Sequence, residues 1–211
     1  DVFGILGRVR DRVIPVGDAA FIDQMDDQLH LVQALEIGHL GRIARFGQGF
    51  ETGADQLDQT AAEHDLLTEQ IGHEFFASQQ YVAIAVWCDQ QALPQLAAHF
   101  YAQAVEERNH AMMIVQYLMD READVVIPGV PAVRNEFASV VEPLELALAQ
   151  ERLVTSQFEA LIALARAESD YLGEQFMHWF LKEQVEEVAS ISTLLQVARR
   201  VGENVMLLED Y

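Results

Sequence analysis

Apolar residues recur at helical spacing along most of the chain beyond residue 65. Steps of three, four and seven residues place such positions on one face of a helix, so the pattern predicts amphipathic helices. The four long predicted helices are Leu66–Gln91, Pro94–Arg121, Ser139–Ala167 and a segment from an N-cap at Asp170 to Arg200. A short apolar tail, Val205–Leu208, predicts a small fifth helix.

The lengths of the links between these helices predict the topology. The first and third links hold only a few residues, so each joins its two helices into an antiparallel hairpin. The middle link, 124–138, contains Pro128, Gly129 and Pro131 and cannot continue a helix. Fully extended, such a link spans roughly 50 Å, whereas a helix of about 27 residues is roughly 40 Å long. The sequence therefore predicts an all-α four-helix bundle with one long crossover connection and a short C-terminal fifth helix.

Residues 1–65 have a different character. They contain several glycines, show weak periodicity, and lack lysine, tyrosine and tryptophan. We expect an N-terminal extension of unknown role over 1–65, poorly ordered or loosely docked, and the helical bundle over 66–211.

Each apolar stripe is interrupted near its middle by polar residues. The interrupting residues are Glu74 and Tyr81 in the first helix, Glu107 and His110 in the second, Glu151 in the third, and Gln184 and Glu187 in the fourth. Burial and neighbouring like charges both oppose ionisation of a carboxyl group, so four buried glutamates at one depth would repel one another severely. A bound multivalent cation relieves that repulsion. The alternative is an error of helical phase that leaves some of these acids exposed.

The residue types select the class of metal. A set of carboxylates with one imidazole suits iron or manganese, with zinc as a competitor. Glu107 and His110 lie three residues apart and can reach one metal from the same helix, and Glu107 is central enough to bridge two metals. Cys88 is the single cysteine, which excludes an intrachain disulfide and a cysteine-rich zinc or iron site. We therefore expect a reducing, cytoplasmic location.

Charge and hydropathy limit the classes of molecule that the protein is expected to bind. The formal net charge of −21 makes a nucleic-acid backbone or an anionic membrane an unfavourable partner. No apolar run approaches the roughly 20 residues of a membrane span, and the sequence begins without a recognisable secretory signal. We expect a soluble protein with no nucleic-acid or membrane partner.

Four strings resemble the iron-oxidation motifs of bacterial non-haem ferritins, and LGEQFMHWFL at 172–181 and IPG at 127–129 resemble ferritins of the actinobacterial type. The four strings are HEFFASQQY at 73–81, AVEERNHAMM at 104–113, QER at 150–152 and WFLKEQVEE at 179–187, and the likeness extends over about residues 67–210. The resemblance implies a homo-oligomeric cage of probably 24 subunits that stores and detoxifies iron. Each subunit would oxidise Fe(II) to Fe(III) with dioxygen or peroxide at a di-iron centre, and a ferric oxyhydroxide mineral would accumulate inside the cage.

The resemblance also assigns roles to individual residues. The first iron would bind Glu74, Glu107 and His110, and the second would bind Glu107, Glu151 and Glu187. Gln184 would be a weak ligand or would lie next to the ligands, and Tyr81 would hydrogen-bond the centre and donate an electron. The third iron position of bacterial ferritins would correspond to Glu106, Glu183, Glu186 and Glu187. Haem is not expected, because Arg108 stands where bacterioferritins carry their haem-ligand methionine.

Other interpretations remain open at this point. They are an oxidase of the same fold with a di-iron or manganese–iron centre acting on an organic substrate, a cage subunit with an inactive centre, and a metal-free helical scaffold. His73, His99 and His178 lie off the carboxylate stripes, and we interpret them as surface or interface residues. We interpret Cys88, Trp87 and Trp179 as packing residues.

Overall fold

The computed structural model of the protein describes residues 54–202 and 204–211, with side chains from residue 63 onward, and this part is all-α. Its helices are α1 (Ala54–Gln90), α2 (Pro94–Asp120), α3 (Val141–Glu168), α4 (Tyr171–Val201) and α5 (Met206–Glu209). The first four form the predicted bundle, and α5 is the predicted short fifth helix. No helix among these is long and apolar enough to cross a membrane.

The helix α1 begins at Ala54, earlier than the predicted start at Leu66. The sequence from 54 to 65 contains neither glycine nor proline, the two residues least favourable in a helix, and three of its residues are alanine, so a helix is allowed there despite the weak apolar periodicity. The helix therefore passes through the boundary that we expected between residues 65 and 66. The rest of the expected extension, 1–53, lies outside the described residues, and its role stays a prediction.

At the starts of two helices, backbone N–H groups donate hydrogen bonds to carboxylate side chains. The Asp170 carboxylate accepts a hydrogen bond from the Gly173 backbone N–H at 3.1 Å, as expected for the N-cap of α4. The start of α2 has no side-chain cap of its own. Glu209 of α5 supplies one instead, because its carboxylate accepts from the backbone N–H groups of Gln95 and Leu96 at 2.8 and 3.0 Å. The tail thus places a negative charge where the α2 dipole favours it.

The crossover link runs along α1 in the same direction as the helix. Its start is joined to α1 where the His64 ring nitrogen lies 2.5 Å from the Asp124 carbonyl oxygen. Further along, the Gln80 side chain donates to the Arg134 carbonyl oxygen at 2.8 Å and accepts from the Arg134 N–H at 2.9 Å. Near the end of the helix, the Trp87 and Phe137 rings pack edge to face, 5.5 Å apart. Since the link returns along the length of the bundle, α2 and α3 are parallel, as predicted.

The core lies between the four long helices. The largest enclosed side chains include Ile71, Tyr81, Phe100, Ile114, Leu144, Phe158 and Phe180. Phe158 of α3 and Phe180 of α4 stack at a centroid distance of 4.6 Å. These apolar layers stand above and below the polar interruption of each stripe, which places that interruption in an enclosed, low-dielectric interior.

Candidate metal centre

Five ionisable side chains from the four helices converge inside the bundle. Their exposed fractions are 0 % for Glu74, 1 % for Glu107, 2 % for His110, 1 % for Glu151 and 6 % for Glu187. All five interrupt the apolar stripes of their helices, so the same periodicity that builds the core turns them inward. The predicted four carboxylates and one imidazole therefore lie together in the interior of the bundle.

The ligand atoms of these residues form two groups that share Glu107. One group is Glu74, Glu107 and His110, and the other is Glu107, Glu151 and Glu187. Within each group, each residue offers one ligand atom, and these atoms lie within 4.8 Å of one another. The two groups contain the same residues as the two predicted iron ligand sets, and Glu107 belongs to both, so its role as a bridging ligand stays a prediction.

Several oxygens in this cluster have no hydrogen-bond donor within the described part of the chain. They are Oε2 of Glu74, Oε1 of Glu107 and Oε1 of Glu187, each inaccessible to solvent. A buried polar atom without a partner costs about 1–3 kcal/mol, and a charged one costs more. Two divalent cations, one in each group, would supply the missing interactions of these three oxygens, so the residues fit a metal pair.

Burial and neighbouring negative charges favour the protonated forms of three of these acids. Burial, followed by the neighbouring Glu107 charge, raises the pKa of Glu74 well above its usual value. Burial and the Glu151 charge raise the pKa of Glu107, and burial with the Glu107 and Glu151 charges raises the pKa of Glu187. Close packing therefore opposes the ionisation of these carboxyl groups. A bound cation would favour their ionised forms again.

Two neutral side chains complete the polar cluster. The Tyr81 hydroxyl donates to the Glu151 carboxylate. The Gln184 side-chain nitrogen donates to Glu151 Oε2 and to Glu187 Oε2, both at 3.2 Å. Gln184 thus presents its amide nitrogen to the carboxylates, whereas a metal ligand would need its oxygen, which accepts from the Thr155 hydroxyl at 3.1 Å. In this conformation Gln184 lies beside the ligands as a hydrogen-bond donor.

A sequence model of the ferritin-like domain matches residues 64–201, which is more than half of the chain and contains every residue of the cluster. The chain belongs to the ferritin family. Ferritin BfrB of Mycobacterium tuberculosis is 62 % identical to it over 148 residues, 70 % of this chain and 82 % of that protein. The bacterial non-heme ferritin of Staphylococcus saprophyticus is 40 % identical over 140 residues, covering 66 % of this chain and 84 % of that protein.

The fold is also similar to that of solved ferritins. An open-pore ferritin from the archaeon Archaeoglobus fulgidus superposes with a TM-score of 0.69 at 26 % identity, covering 71 % of this chain and 94 % of that chain. The resemblance stated from the sequence motifs is therefore confirmed, together with the one-crossover bundle.

Of the four residues predicted to bind a third iron, two belong to a group of possible metal ligands and two do not. Glu106 is partly buried, and it forms a group of possible ligands with His110 and Glu187, again within 4.8 Å. Glu183 is partly buried and Glu186 is exposed, and neither joins such a group among the described residues. The third position stays a prediction in which Glu106 and Glu187 have the better geometric support.

Sequence reasoning missed Gln70 as part of the ferritin centre. Gln70 is 1 % exposed, and its amide nitrogen donates to Glu74 Oε1 at 2.7 Å. The available signal was its position one helical turn before Glu74 and directly beside the core residue Ile71. The contact between Thr155 and Gln184 was also missed, because it depends on side-chain conformation that periodicity does not specify.

The three histidines predicted to lie off the carboxylate stripes belong to neither of the two ligand groups found among the described residues. His178 contacts Glu174 at 3.5 Å on the surface of α4, and the His99 ring packs edge-on against Phe100. His73 is partly buried on α1. Cys88 is fully enclosed, and burial raises the pKa of its thiol to about 12, so it behaves as a packing residue.

Proposed function

We propose that this ferritin stores and detoxifies iron, and that each subunit oxidises Fe(II) to Fe(III) at two positions inside its bundle. The observation that carries the proposal is the pair of buried ligand groups sharing Glu107. The family membership supports iron storage, and the intact ligand set supports the oxidation step in particular.

The two positions differ in their ligands. The first iron would bind Glu74, Glu107 and His110, and the second would bind Glu107, Glu151 and Glu187. Carboxylate oxygens and one imidazole nitrogen suit iron in both oxidation states, and the anionic set favours the more highly charged ferric product. Because Glu107 belongs to both groups, it would hold the two irons close enough to react with one oxidant molecule.

The oxidation balances with two irons and one dioxygen. Two Fe(II) ions each lose one electron, and dioxygen takes up both electrons and two protons to give hydrogen peroxide and two Fe(III). Peroxide can oxidise a further pair of Fe(II) ions in the same way, giving water. Iron is the substrate here, and the protein contributes ligand geometry, charge neutralisation and an enclosed site.

Tyr81 and Gln184 would assist without exchanging electrons in every turnover. Tyr81 fixes the Glu151 carboxylate through its hydroxyl and lies close enough to the centre to donate an electron. Gln184 holds Glu151 and Glu187 through its amide nitrogen. As a weak metal ligand, Gln184 would have to turn its amide oxygen toward the carboxylates. Its amide nitrogen could then donate a hydrogen bond to the Thr155 hydroxyl, which can also act as an acceptor.

We further propose a cage of 24 subunits in the cytoplasm, with ferric mineral inside and a third iron position involving Glu106, Glu183, Glu186 and Glu187. Apolar side chains on the outer faces of the bundle support subunit packing. Examples are Val82 and Val86 on α1, Leu153 on α3 and Val185 on α4. The surplus of carboxylates suits a container for cations.

An oxidase acting on an organic substrate has less support. Such an enzyme needs a cavity that reaches the metals. A cavity of about 510 Å³ lies between α2, α4 and α5, and its lining includes Gln95, His99 and Leu208 but none of the proposed ligands. Fe(II) and dioxygen are small enough to need no such cavity.

Stopped-flow absorbance after mixing Fe(II) with dioxygen tests the proposal. We expect fast formation of a ferric species in the unmodified protein and loss of the fast phase in Glu107→Gln. Glu159→Gln is the matched control, because Glu159 is an exposed glutamate on α3. Mass measured by light scattering should be that of a cage in all three proteins. Equal oxidation rates in Glu107→Gln and the unmodified protein would reject the site, and a small oligomer would reject the storage cage.

A further inference from the structure

The buried amide of Gln70 has no role in the proposed oxidation so far. It lies on α1 one helical turn before Glu74, and its nitrogen donates to Glu74 Oε1 at 2.7 Å. Only 1 % of Gln70 is exposed, so water does not compete for this hydrogen bond. A long, flexible polar side chain is thus fixed in the core at the cost of its conformational freedom.

The two oxygens of Glu74 consequently have different surroundings. Oε1 accepts from Gln70, whereas Oε2 has no hydrogen-bond donor among the described residues and lies 3.9 Å from His110 Nδ1. The oxygen left without a partner is therefore the one that faces the other ligands of the first position. The second position has its own donor, since Gln184 contacts Glu151 and Glu187 but not Glu74.

We propose that Gln70 is a positioning residue for the first metal position, where it fixes the rotation of the Glu74 carboxylate and leaves Oε2 free to bind. This inference rests on the proposed function, because it requires a metal at that position. A free carboxylate rotates about its last bond and can offer either oxygen or both. Hydrogen bonds to the outer oxygen of a ligating carboxylate fix its orientation, and their loss typically lowers metal affinity or activity about 10–100-fold.

The test compares the same substitution at two buried glutamines of α1. Gln70→Met removes the amide while keeping an unbranched side chain of similar size. Gln80→Met is the control, because Gln80 is 2 % exposed and bonds the crossover backbone at Arg134 instead of a ligand. The probe is Co(II) under anaerobic conditions, followed by calorimetry and by the visible absorption of bound cobalt. Both substitutions are also made in a Glu151→Gln background, which removes a ligand of the second position only.

We expect Gln70→Met to weaken cobalt binding at the first position about 10–100-fold and to change its absorption spectrum. Binding at the second position should keep its affinity. Gln80→Met should lower the melting temperature but leave both cobalt affinities unchanged. If Gln70→Met does not fold, Gln70→Asn serves instead, since its shorter side chain keeps the amide but cannot reach Glu74.

Unchanged cobalt affinity and spectrum in folded Gln70→Met would overturn the inference and leave Gln70 with a structural role only. Equal weakening at both positions would also overturn it, because the proposed effect is confined to the first. Failure of the proposed function has a separate signature, which is the absence of two cobalt ions per chain in the unmodified protein.

Discussion

Tyr81 of α1 donates a hydrogen bond to the carboxylate of Glu151 on α3, and both side chains are enclosed, with exposed fractions of 0 % and 1 %. The bond joins two helices that belong to different hairpins. It also gives one oxygen of a proposed ligand a fixed partner, which leaves the other oxygen facing Gln184 and the centre.

Replacing Tyr81 with phenylalanine should affect both stability and oxidation. The substitution leaves Glu151 Oε1 without its donor, which we expect to lower the free energy of unfolding by about 1–3 kcal/mol. The fast phase of iron oxidation should slow by about tenfold while two metals per chain still bind. Tyr171→Phe is the control, since Tyr171 is 70 % exposed. Melting temperature and stopped-flow absorbance measure the two effects, and unchanged oxidation would exclude a role for the Tyr81 hydroxyl.

Gly72→Ala should destabilise the bundle although alanine favours a helix by about 1 kcal/mol over glycine. A Cβ atom at Gly72 would lie 2.9 Å from Cγ of Pro128, whose ring is rigid, so the crossover would have to move away from α1. Gly129→Ala is the control in the same region, because a Cβ atom there meets nothing within 4 Å. We expect a lower melting temperature for Gly72→Ala only. A higher melting temperature for Gly72→Ala would mean that the crossover moves away from α1 at little cost in free energy.

Glu63 should make stability depend on pH. Its side chain is 7 % exposed, and burial followed by the Asp170 charge raises its pKa from 4.5 to about 7. A carboxyl whose pKa is raised on folding binds its proton more tightly in the folded state, so its contribution is complete below about pH 4.5. That contribution is lost as the pH rises to about 7. The loss is at most about 3 kcal/mol, because a tenfold change in proton affinity is worth about 1.4 kcal/mol.

The Glu63→Gln variant isolates this contribution. Its neutral amide imitates the protonated acid beside Glu168, so the variant should melt at a higher temperature than the unmodified protein at pH 8 and at a similar temperature at pH 4.5. Melting curves are recorded with a chelator present, so that metal binding does not add its own pH dependence. If the melting temperatures of the two proteins differed by the same amount at every pH in this range, Glu63 would not be the source of the pH dependence.

Metal binding should raise the melting temperature of the metal-free protein. Ligands that bind only the folded state stabilise it by RT ln(1 + [L]/Kd), or about 2.7 kcal/mol at a hundredfold excess over Kd. We expect this gain with Co(II) in the unmodified protein and a much smaller gain in Glu107→Gln, which disrupts both ligand groups. Glu159→Gln should behave as the unmodified protein, and an equal gain in all three would place the cobalt elsewhere.

The sequence predicted the ligand cluster because one periodicity governs both the core and the site. Glu74, Glu107 and Glu151 could be assigned to inward faces since apolar residues flank them at helical spacing. The crossover was predictable from its proline and glycine content and from its length alone. These properties depend on backbone geometry, which residue spacing describes well.

Features that depend on side-chain conformation or on propensity were less accessible. The contact between Gln70 and Glu74 requires a particular rotamer of a flexible amide, and no spacing rule distinguishes it from a solvated pair on the surface. The orientation of the Gln184 amide could not be predicted for the same reason, since it also depends on the rotamer. The early start of α1 was missed because 54–65 has weak apolar periodicity, although its composition allows a helix.

The attachment of the crossover to α1 sets the axial register between the two hairpins. The packing of Trp87 against Phe137, near the end of the crossover, fixes how far α3 descends beside α1 before Glu151 is reached. A slip of one helical turn would shift that carboxylate by about 5.4 Å, which exceeds the 4.8 Å within which its ligand group is gathered. A segment without a single proposed ligand therefore determines whether the two halves of the centre meet.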